Sequence, residues 1–349
     1  MVRLGAMGDI LHALPAITAL RIAHPGWVID WVVEPRWRAL LTENPETENA
    51  STRSIQAQPL VDSVHSAATK EWRGRPFNAR TFNEIKALRR SLRAGDYDTV
   101  LDLQGAVRSA VVARMPGCRR VIGEANPRER AARWLFTEQV TTSGSHVIEQ
   151  DVELASAVAG DDLSAVQPVL PVDPACEAWA DGVLPCSADK LTALINPGAG
   201  WGAKRWPIER YITVAQGLIE KGFRVFVNGG PGEEPLLDMM VKQAGQAVTP
   251  LTGNLSQLIA LTRRISVAIA GDTGPLHLAC ALGRPVVGIY GPTDPRRNGP
   301  FGTRFKVLRS PQSRRDHSRN EAPEAGLLTI APEHVLRATD ELLAEERVR

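Results

Sequence analysis

Short apolar segments typical of buried strands alternate with helix-like segments along both halves of the chain. In the second half the strand-like segments are "LTALI" (191–195), "RVFVN" (224–228), "VAIAG" (267–271) and "PVVGIYG" (285–291). In the first half "WVIDWVVE" (27–34) and "DTVLDLQG" (98–105) flank the helix-like "FNEIKALRRSLRAG" (82–95). Repeated strand–helix–strand units form parallel sheets covered by helices on both faces. The pattern therefore predicts a doubly wound α/β fold that binds its ligands at the carboxyl ends of the strands.

The alternation is interrupted once, by a proline-containing stretch with little periodicity between residues 161 and 189. At about 150 residues per domain, a chain of this length is expected to form two domains. We predict an N-terminal Rossmann-like domain at 1–165, a linker at 166–190, a second Rossmann-like domain at 191–330 and a C-terminal helix at 331–349. We further expect the two domains to face a cleft, and the C-terminal helix to pack back toward the N-terminal domain.

Composition narrows the class of protein. No apolar stretch reaches the roughly 18 residues that span a bilayer, and the N-terminus lacks the layout of a secretory signal. The four cysteines form neither a C-x-x-C pair nor a metal-ligand spacing; they are Cys118, Cys176, Cys186 and Cys280. These features predict a cytoplasmic protein with reduced thiols and no metal site.

The net charge of +2 conceals two basic stretches. Residues 70–133 contain 15 Lys and Arg against 7 Asp and Glu, and residues 304–319 contain six basic residues against one acid. Such stretches suit a phosphate-bearing partner, an anionic membrane surface or simply a solvated face. A nucleic-acid partner is disfavoured, because aromatic residues make up only 5% of the chain and no known nucleic-acid-binding motif is present.

Two turns in the second half have the character of ligand-binding loops. "NPGAGWGAKRWP" (196–207) offers glycines through which backbone N–H groups can approach an anion, and Lys204 adds a positive charge. "NGGPGEE" (228–234) also follows a strand. Its acids, Glu233 and Glu234, suit either a ribose hydroxyl pair or the dipole of a following helix.

A third turn, "AGDTGPLHLACALGRPVVGIYGPTDP" (270–295), is the most specific. Asp272, Thr273 and Gly274 lie between a strand and a helix, where backbone N–H groups and the Thr273 hydroxyl can surround an anion. His277 lies one turn into the helix, where it either faces the same ligand or packs in the core.

One acid in the first half, Asp9, follows the flexible turn Gly5-Ala6-Met7-Gly8 and precedes an apolar helix. Asp is a favourable N-cap, and capping stabilises a helix by about 1 kcal/mol. A ligand contact and a catalytic base are the other two interpretations. They are compatible with capping, since one carboxylate oxygen can accept helix N–H groups while the other faces a ligand.

Four segments together resemble one family. "RLGAMGDILHALPAITALR" (3–21), "PGAGWGAKRWP" (197–207), "GGPGEE" (229–234) and "GDTGPLHLACALGRPVVGIYGPTDP" (271–295) are similar, in order and spacing, to the ADP-heptose:lipopolysaccharide heptosyltransferases. These are inverting glycosyltransferases of GT-B fold. "EWRGRPF" (71–77) and "GPTDP" (291–295) resemble the first heptosyltransferase more than the second. One departure is that Ala199 and Gly200 stand where the first enzyme typically has a Thr pair.

The resemblance implies roles for individual residues. Asp9 matches the general base, Lys204 the lysine that meets the donor phosphate, and Glu233 the acid near the donor ribose. The diphosphate-binding turn is matched by Asp272, Thr273, Gly274 and His277. No metal or other cofactor is then obligatory, and ADP-heptose is the donor substrate.

The implied reaction is transfer of L-glycero-D-manno-heptose to Kdo of Kdo₂-lipid A in lipopolysaccharide inner-core synthesis. Candidates for holding Kdo carboxylates and lipid A phosphates are Arg73, Arg75, Arg128 and Arg133. The enzyme would be cytoplasmic and peripheral to the inner membrane, attracted largely by charge. The alternatives are transfer to an inner-core heptose, a nicotinamide-dependent oxidoreductase, and a non-catalytic anion- or nucleic-acid-binding module. The absence of G-x-G-x-x-G after any strand argues against the oxidoreductase.

Overall fold

The computed structural model describes residues 1–43, 59–184, 190–245, 247–316 and 320–347. The chain divides into two compact units, Met1–Pro171 and Val172–Arg349. The boundary between them falls within the predicted linker at 166–190, which also contains a helix. Cys186 lies outside the described residues.

The first unit is built on parallel strand pairs. Its described strands are β1 (Asp30–Val33), β2 (Ser63–Ser66), β3 (Thr99–Asp102), β4 (Arg120–Glu124) and β5 (Glu138–Val140). Its described helices are α1 (Met7–Ala23), α2 (Thr69–Gly74), α3 (Ala79–Ala94), α4 (Val107–Ala113) and α5 (Val147–Ala159). Two 3₁₀ turns follow β1 and β4, at Pro35–Leu40 and Arg130–Leu135.

The first few residues of the chain connect the pair β1-β2 to the three strands β3-β4-β5. Val2 forms parallel bridges with Val32 of β1 on one side and Asp102 of β3 on the other. The spatial order is therefore β2, β1, the first segment, β3, β4 and β5. The chain order reverses beside this first segment. In an open α/β sheet such a switch point is where ligands bind, so the residues after Leu4 occupy the expected place.

The second unit contains a six-stranded parallel sheet in the order β11-β10-β9-β6-β7-β8. Its strands are β6 (Thr192–Asn196), β7 (Arg224–Asn228), β8 (Val248–Leu251), β9 (Val267–Gly271), β10 (Val286–Tyr290) and β11 (Phe305–Arg309). Its described helices are α6 (Pro174–Val183), α7 (Ile208–Glu220), α8 (Glu234–Ala244), α9 (Leu255–Thr262), α10 (Gly274–Ala281), α11 (Pro295–Asn298) and α12 (Pro332–Arg347). The order reverses between β6 and β9, which places a second switch point there.

The last helix, α12, belongs to the second unit. Its buried residues Val335, Ala338 and Leu342 share a hydrophobic cluster with Tyr211 and Leu218 of α7. The face of α12 that carries these residues is therefore buried within the second unit. Packing of segment 331–349 toward the N-terminal domain stays a prediction. No described helix is long and apolar enough to cross a bilayer.

Candidate active site

Three of the residues singled out in the second unit form one buried cluster at its switch point. Lys204 ends a 3₁₀ turn after β6, Asp272 directly follows β9, and His277 lies in α10. Lys204 Nζ lies 2.5 Å from Asp272 Oδ2, and His277 Nε2 lies 3.1 Å from Asp272 Oδ1. The exposed fractions of the three side chains are 11%, 7% and 5%. The sequence separation of Lys204 and Asp272 gives no sign of this pairing.

The cluster keeps Asp272 ionised. Burial alone would raise the pKa of this carboxyl, but the hydrogen bond from His277 and the Lys204 ammonium outweigh it, so the pKa lies well below its usual range. Trp201 adds a second contact that the sequence did not suggest. Lys204 Nζ lies 4.1 Å from the centre of the Trp201 ring, close enough for a cation–π interaction. Asp272 and Trp201 thus fix the position of the Lys204 ammonium.

The amino end of α10 lies beside this ammonium. Thr273 is the N-cap, and the helix begins at Gly274. The Thr273 hydroxyl donates to the Gly271 carbonyl oxygen at 3.3 Å, and it makes no hydrogen bond to the N–H groups of the helix. The first N–H groups of a helix have no intrahelical acceptor, and the helix dipole favours negative charge there. This end of α10 can therefore accept an anion such as phosphate.

The loops after β6 and β7 are in close contact. Asn228 Nδ2 donates to Asn196 Oδ1 at 2.7 Å, and Asn196 Nδ2 donates to the Gly198 carbonyl at 3.2 Å. Glu233 occupies the N-cap position of α8 but makes no side-chain capping bond to the helix; its Oε2 instead accepts the Gly230 N–H at 2.7 Å. A Cβ atom added to Gly198 would lie 2.1 Å from both Glu233 carboxylate oxygens. Glycine at 198 is thus what allows the Glu233 carboxylate to lie over this loop.

In the first unit the structure corrects the position of Asp9 in its helix. Helix α1 begins at Met7, so Asp9 occupies the third helical position and not the N-cap. Its Oδ2 accepts the Ala6 N–H at 2.9 Å, while its Oδ1 lies 3.8 Å from Arg3 Nη2. The side chain is 39% exposed. One carboxylate oxygen therefore accepts a hydrogen bond at the start of the helix, and the carboxylate is still accessible to solvent.

The backbone before Asp9 is held by neighbours. Gly5 has a φ of +146°, and a Cβ there would lie 2.7 Å from Trp37 Nε1, so only glycine fits. Gln104, after β3, accepts the Leu4 N–H through its Oε1 at 2.8 Å. Asp102 in turn accepts the Gln104 N–H at 2.8 Å. The segment leading to Asp9 is thus fixed by side chains that sequence reasoning did not select.

The arginines proposed for an anionic acceptor follow the carboxyl ends of strands. Arg73 and Arg75 lie at the end of α2, after β2, and both are exposed. Arg128 is exposed in the loop after β4, where its backbone lies beside Gly105. Arg133 is half-buried and its guanidinium lies 4.8 Å from the Trp134 ring. Among the described contacts none joins Arg128 or Arg133 to Arg73 or Arg75.

Further basic residues gather around Lys70, at the start of α2. Desolvation lowers the pKa of Lys70, and the Arg36 guanidinium, after β1, lowers it further. The Glu34 carboxylate acts in the opposite direction and raises the pKa of Lys70. Arg108 in α4 and Arg73 lower this pKa by charge repulsion. We call Arg36, Lys70, Arg73 and Arg108 the cationic cluster. Its members follow the ends of three different strands. This is why the sequence analysis did not select Arg36 and Arg108.

In the ranges that the structure describes, no group of three or more His, Cys, Asp or Glu side chains could hold a metal ion.

The sequence profile of glycosyltransferase family 9 (heptosyltransferase) matches residues 85–327. The chain belongs to this family. Both glycine-rich turns with Lys204 and Glu233, and the Asp272–His277 motif, lie within the matched range.

Individual relatives of the chain support this family assignment. The chain is 28% identical over 323 residues to lipopolysaccharide heptosyltransferase 1 of Escherichia coli K12, covering 89% of this chain and 93% of the relative. It is 27% identical to lipooligosaccharide heptosyltransferase 2 of Haemophilus influenzae, covering 97% of each.

A solved structure described as E. coli heptosyltransferase WaaC with ADP aligns with a TM-score of 0.78 at 26% identity, over 98% of each chain. These findings confirm the predicted α/β fold class and transferase activity. They exclude the oxidoreductase and the non-catalytic binding module.

Proposed function

We propose that this family 9 enzyme transfers L-glycero-D-manno-heptose from ADP-heptose to Kdo of Kdo₂-lipid A, with inversion. The observation that carries the donor assignment is the Lys204–Asp272–His277 cluster beside the free amino end of α10. Its chemistry suits a diphosphate, and the similar WaaC structure contains ADP. The second unit would then hold the donor and the first unit the acceptor, with the domain limits predicted from the sequence.

Lys204 would stabilise the leaving ADP. Its ammonium contacts Asp272 Oδ2 and lies 3.3 Å from the Asp272 carbonyl oxygen, which leaves a third N–H for a donor phosphate oxygen. N–H groups at Thr273 and Gly274 would bind other phosphate oxygens. As the anomeric C–O bond breaks, negative charge grows on the diphosphate, and fixed N–H dipoles stabilise it without reorganisation. His277 would act indirectly, by orienting Asp272.

Asp9 would act as the general base. Its carboxylate would take the proton of an acceptor hydroxyl as that oxygen attacks the anomeric carbon from the face opposite ADP, which gives inversion. The hydrogen bond from Ala6 N–H orients the group, and its exposed fraction leaves it accessible. We propose that no metal ion takes part, so an excess of EDTA should leave the rate unchanged.

The acceptor assignment rests on the basic residues of the first unit. Bidentate guanidinium groups suit Kdo carboxylates and lipid A phosphates, and we place Arg73, Arg75, Arg128 and Arg133 in this role. The cationic cluster extends the set to Lys70, Arg36 and Arg108. A heptose of the inner core is the second candidate acceptor, favoured by the similarity to a heptosyltransferase 2 over 97% of the chain and by Ala199 and Gly200.

Product analysis tests the proposal. The purified enzyme is incubated with ADP-heptose and either Kdo₂-lipid A or its singly heptosylated product, and the lipids are examined by mass spectrometry. We expect one heptose to be added to Kdo₂-lipid A, and the anomeric configuration of the product to be opposite to that of the donor. Addition only to the heptosylated lipid would assign the second acceptor instead. Absence of transfer to both would overturn the proposed function.

Arg73 and Arg75 allow a test of the acceptor site. Their joint replacement by Ser should raise the acceptor KM by about tenfold or more, since each juxtamembrane charge contributes about 1 kcal/mol to attraction by an anionic surface. ADP affinity, measured by calorimetry, should not change. A matched control is the joint replacement of Arg89 and Arg90, which are also exposed but lie further along α3. Equal effects of the two pairs would reduce the role of Arg73 and Arg75 to general surface charge.

Gly198 offers a test of the Glu233 assignment. An alanine Cβ at 198 would displace the Glu233 carboxylate, so Gly198→Ala should weaken ADP binding several-fold, the equivalent of about one hydrogen bond. Gly200→Ala is the matched control, because a Cβ at 200 meets nothing within 4 Å. Calorimetric titration with ADP compares the two. Unchanged affinity in Gly198→Ala would mean that Glu233 does not contact the donor ribose.

A further inference from the structure

Two phenylalanines are exposed at the corner between α2 and α3. Phe77 is 100% exposed and Phe82 is 68% exposed. We call residues 73–82 the α2–α3 corner. Full exposure of a Phe side chain forgoes the stabilisation that burial of its apolar surface provides. A single exposed apolar residue is ordinary, but two within six positions, both aromatic, form a surface that calls for a partner.

A local structural role does not account for these residues. Asn78 is the N-cap of α3 and its side chain accepts the Arg80 N–H at 2.8 Å. Phe77 and Phe82 therefore occupy the positions before the cap and at the fourth helical residue, where two apolar side chains often pack against each other. Such packing would cover both rings. Because Phe77 is fully exposed, the contact is not made, and both rings are available to a partner.

The charge around the corner favours an anionic partner. Arg73 and Arg75 precede Phe77 in the chain, Arg80 lies between Phe77 and Phe82, and all three arginines are exposed. Arg80 is paired with Glu84, with Nε 2.7 Å from Oε1, while the guanidinium groups of Arg73 and Arg75 have no ion-pair partner among the described contacts. Arg73 is also a member of the cationic cluster, in which it acts on the charge of Lys70. Exposed aromatic rings close in sequence to arginines suit a bilayer interface, where rings enter the headgroup region and cations meet lipid phosphates.

We propose that the α2–α3 corner inserts Phe77 and Phe82 into an anionic bilayer surface next to the site that receives the lipid acceptor. The proposal rests on the proposed function, because only a lipid-linked acceptor requires this placement. It changes the expectation from sequence, under which attraction to the membrane is largely electrostatic. Binding with an apolar component persists at high salt, whereas purely electrostatic binding is screened away.

The test measures binding to vesicles of phosphatidylethanolamine and phosphatidylglycerol by co-sedimentation at 0.1 M and 0.5 M NaCl. The wild-type protein should retain binding at the higher salt concentration. Joint replacement of Phe77 and Phe82 by Ser should lower the partition coefficient at 0.5 M NaCl by about tenfold or more, because the removed rings carry the unscreened part. Joint replacement by Trp should preserve binding, since Trp suits the interface.

The matched control is the joint replacement of Ile22 and Val28 by Ser. These residues are 66% and 71% exposed and lie at the end of α1 and before β1. The control should bind vesicles as the wild type does. If it loses binding equally, or if the Phe77/Phe82 Ser variant binds normally at high salt, the proposal is overturned. Dimerisation of the wild type that disappears in the Ser variant, seen by analytical ultracentrifugation, would also overturn it in favour of a protein interface.

Activity assays separate this proposal from the assigned reaction. With a deacylated acceptor in solution, the Phe77/Phe82 Ser variant should turn over as the wild type does. With the acylated acceptor in vesicles its KM should rise by about tenfold, following its weaker partition. Failure of the wild type to transfer heptose to either acceptor would contradict the proposed function. The vesicle measurement is independent of that outcome, because it requires no turnover.

Discussion

Asp9→Asn is expected to lower kcat by about 100- to 10,000-fold, the usual contribution of a general base. The amide cannot take the proton of the acceptor hydroxyl. Its carbonyl oxygen can still accept the Ala6 N–H, which Asp9 Oδ2 accepts at 2.9 Å in the native chain. The start of α1 should therefore form as before, and the melting temperature should change little. ADP affinity should also be close to normal, because the donor is assigned to the second unit.

A matched control separates catalysis from helix capping. Glu149 occupies the third position of α5, and its Oε2 accepts the His146 N–H at 2.9 Å, the same arrangement as in Asp9 and Ala6. Glu149→Gln should leave kcat unchanged. The measurements are initial rates at saturating ADP-heptose, thermal unfolding and calorimetric titration with ADP. Near-normal turnover of Asp9→Asn would reduce Asp9 to a residue that stabilises the start of its helix.

Strands buried at the centre of the second sheet were predictable from sequence, whereas edge strands were not. The segments predicted at 191–195, 224–228, 267–271 and 285–291 agree with β6, β7, β9 and β10 to within one residue at each end. These strands form continuous apolar runs because helices cover both faces. In β8 only Val248 and Leu251 are buried, and β11 has no fully buried residue. An edge strand with little burial has no apolar run to recognise.

The candidate site shows the same division between local and long-range information. Asp272, Thr273 and Gly274 were recognisable because a strand, a turn and a helix follow one another in the chain. The contact between Lys204 and Asp272 joins loops after two strands that are adjacent only in the folded sheet. The cationic cluster depends likewise on the order β2, β1, first segment and β3. Sequence patterns place residues at strand ends, but strand order decides which ends are neighbours.

The N-terminus of α1 illustrates a local misreading. An N-cap at Asp9 was one of three interpretations that the local sequence left open, yet the helix already includes Met7 and Gly8. Gly5 absorbs the unusual backbone conformation, with a φ of +146° beside Trp37. The approach of Trp37, from the turn after β1, cannot be seen in the local sequence. A cap and a third-position acid have similar sequence signatures, and tertiary contacts decided between them.

The second large effect is expected from Lys204→Ala, which should weaken both ADP binding and the fold of the second unit. Loss of a charge-assisted contact to phosphate should make the free energy of ADP binding less favourable by roughly 1–3 kcal/mol. Asp272, 7% exposed, would in addition lose its cationic partner. Removing one member of a buried pair typically destabilises a protein by about 3–5 kcal/mol. His277 still donates to Asp272, so we expect the lower end of that range.

The stability difference should depend on pH. In the native chain the pKa of Asp272 lies below its ordinary value of about 3.9, so its contribution is present at neutral pH and lost only as pH falls through that low pKa. Without the Lys204 ammonium, burial should raise the pKa of Asp272, and the folded variant gains stability by binding a proton. The difference in unfolding free energy between the two proteins should therefore shrink as pH falls. Urea unfolding between pH 7 and pH 4 measures it.

The double variant Lys204→Met with Asp272→Asn separates the two effects of Lys204. It removes both charges together and leaves neither one buried alone, so most of the lost stability should return. The amide oxygen that replaces the Asp272 carboxylate can still meet His277 Nε2, which keeps the turn before α10 in place. ADP affinity should stay low, because no ammonium faces the phosphate. If the double variant regained ADP affinity along with stability, Lys204 would serve the fold alone, and the donor phosphate would have to bind elsewhere.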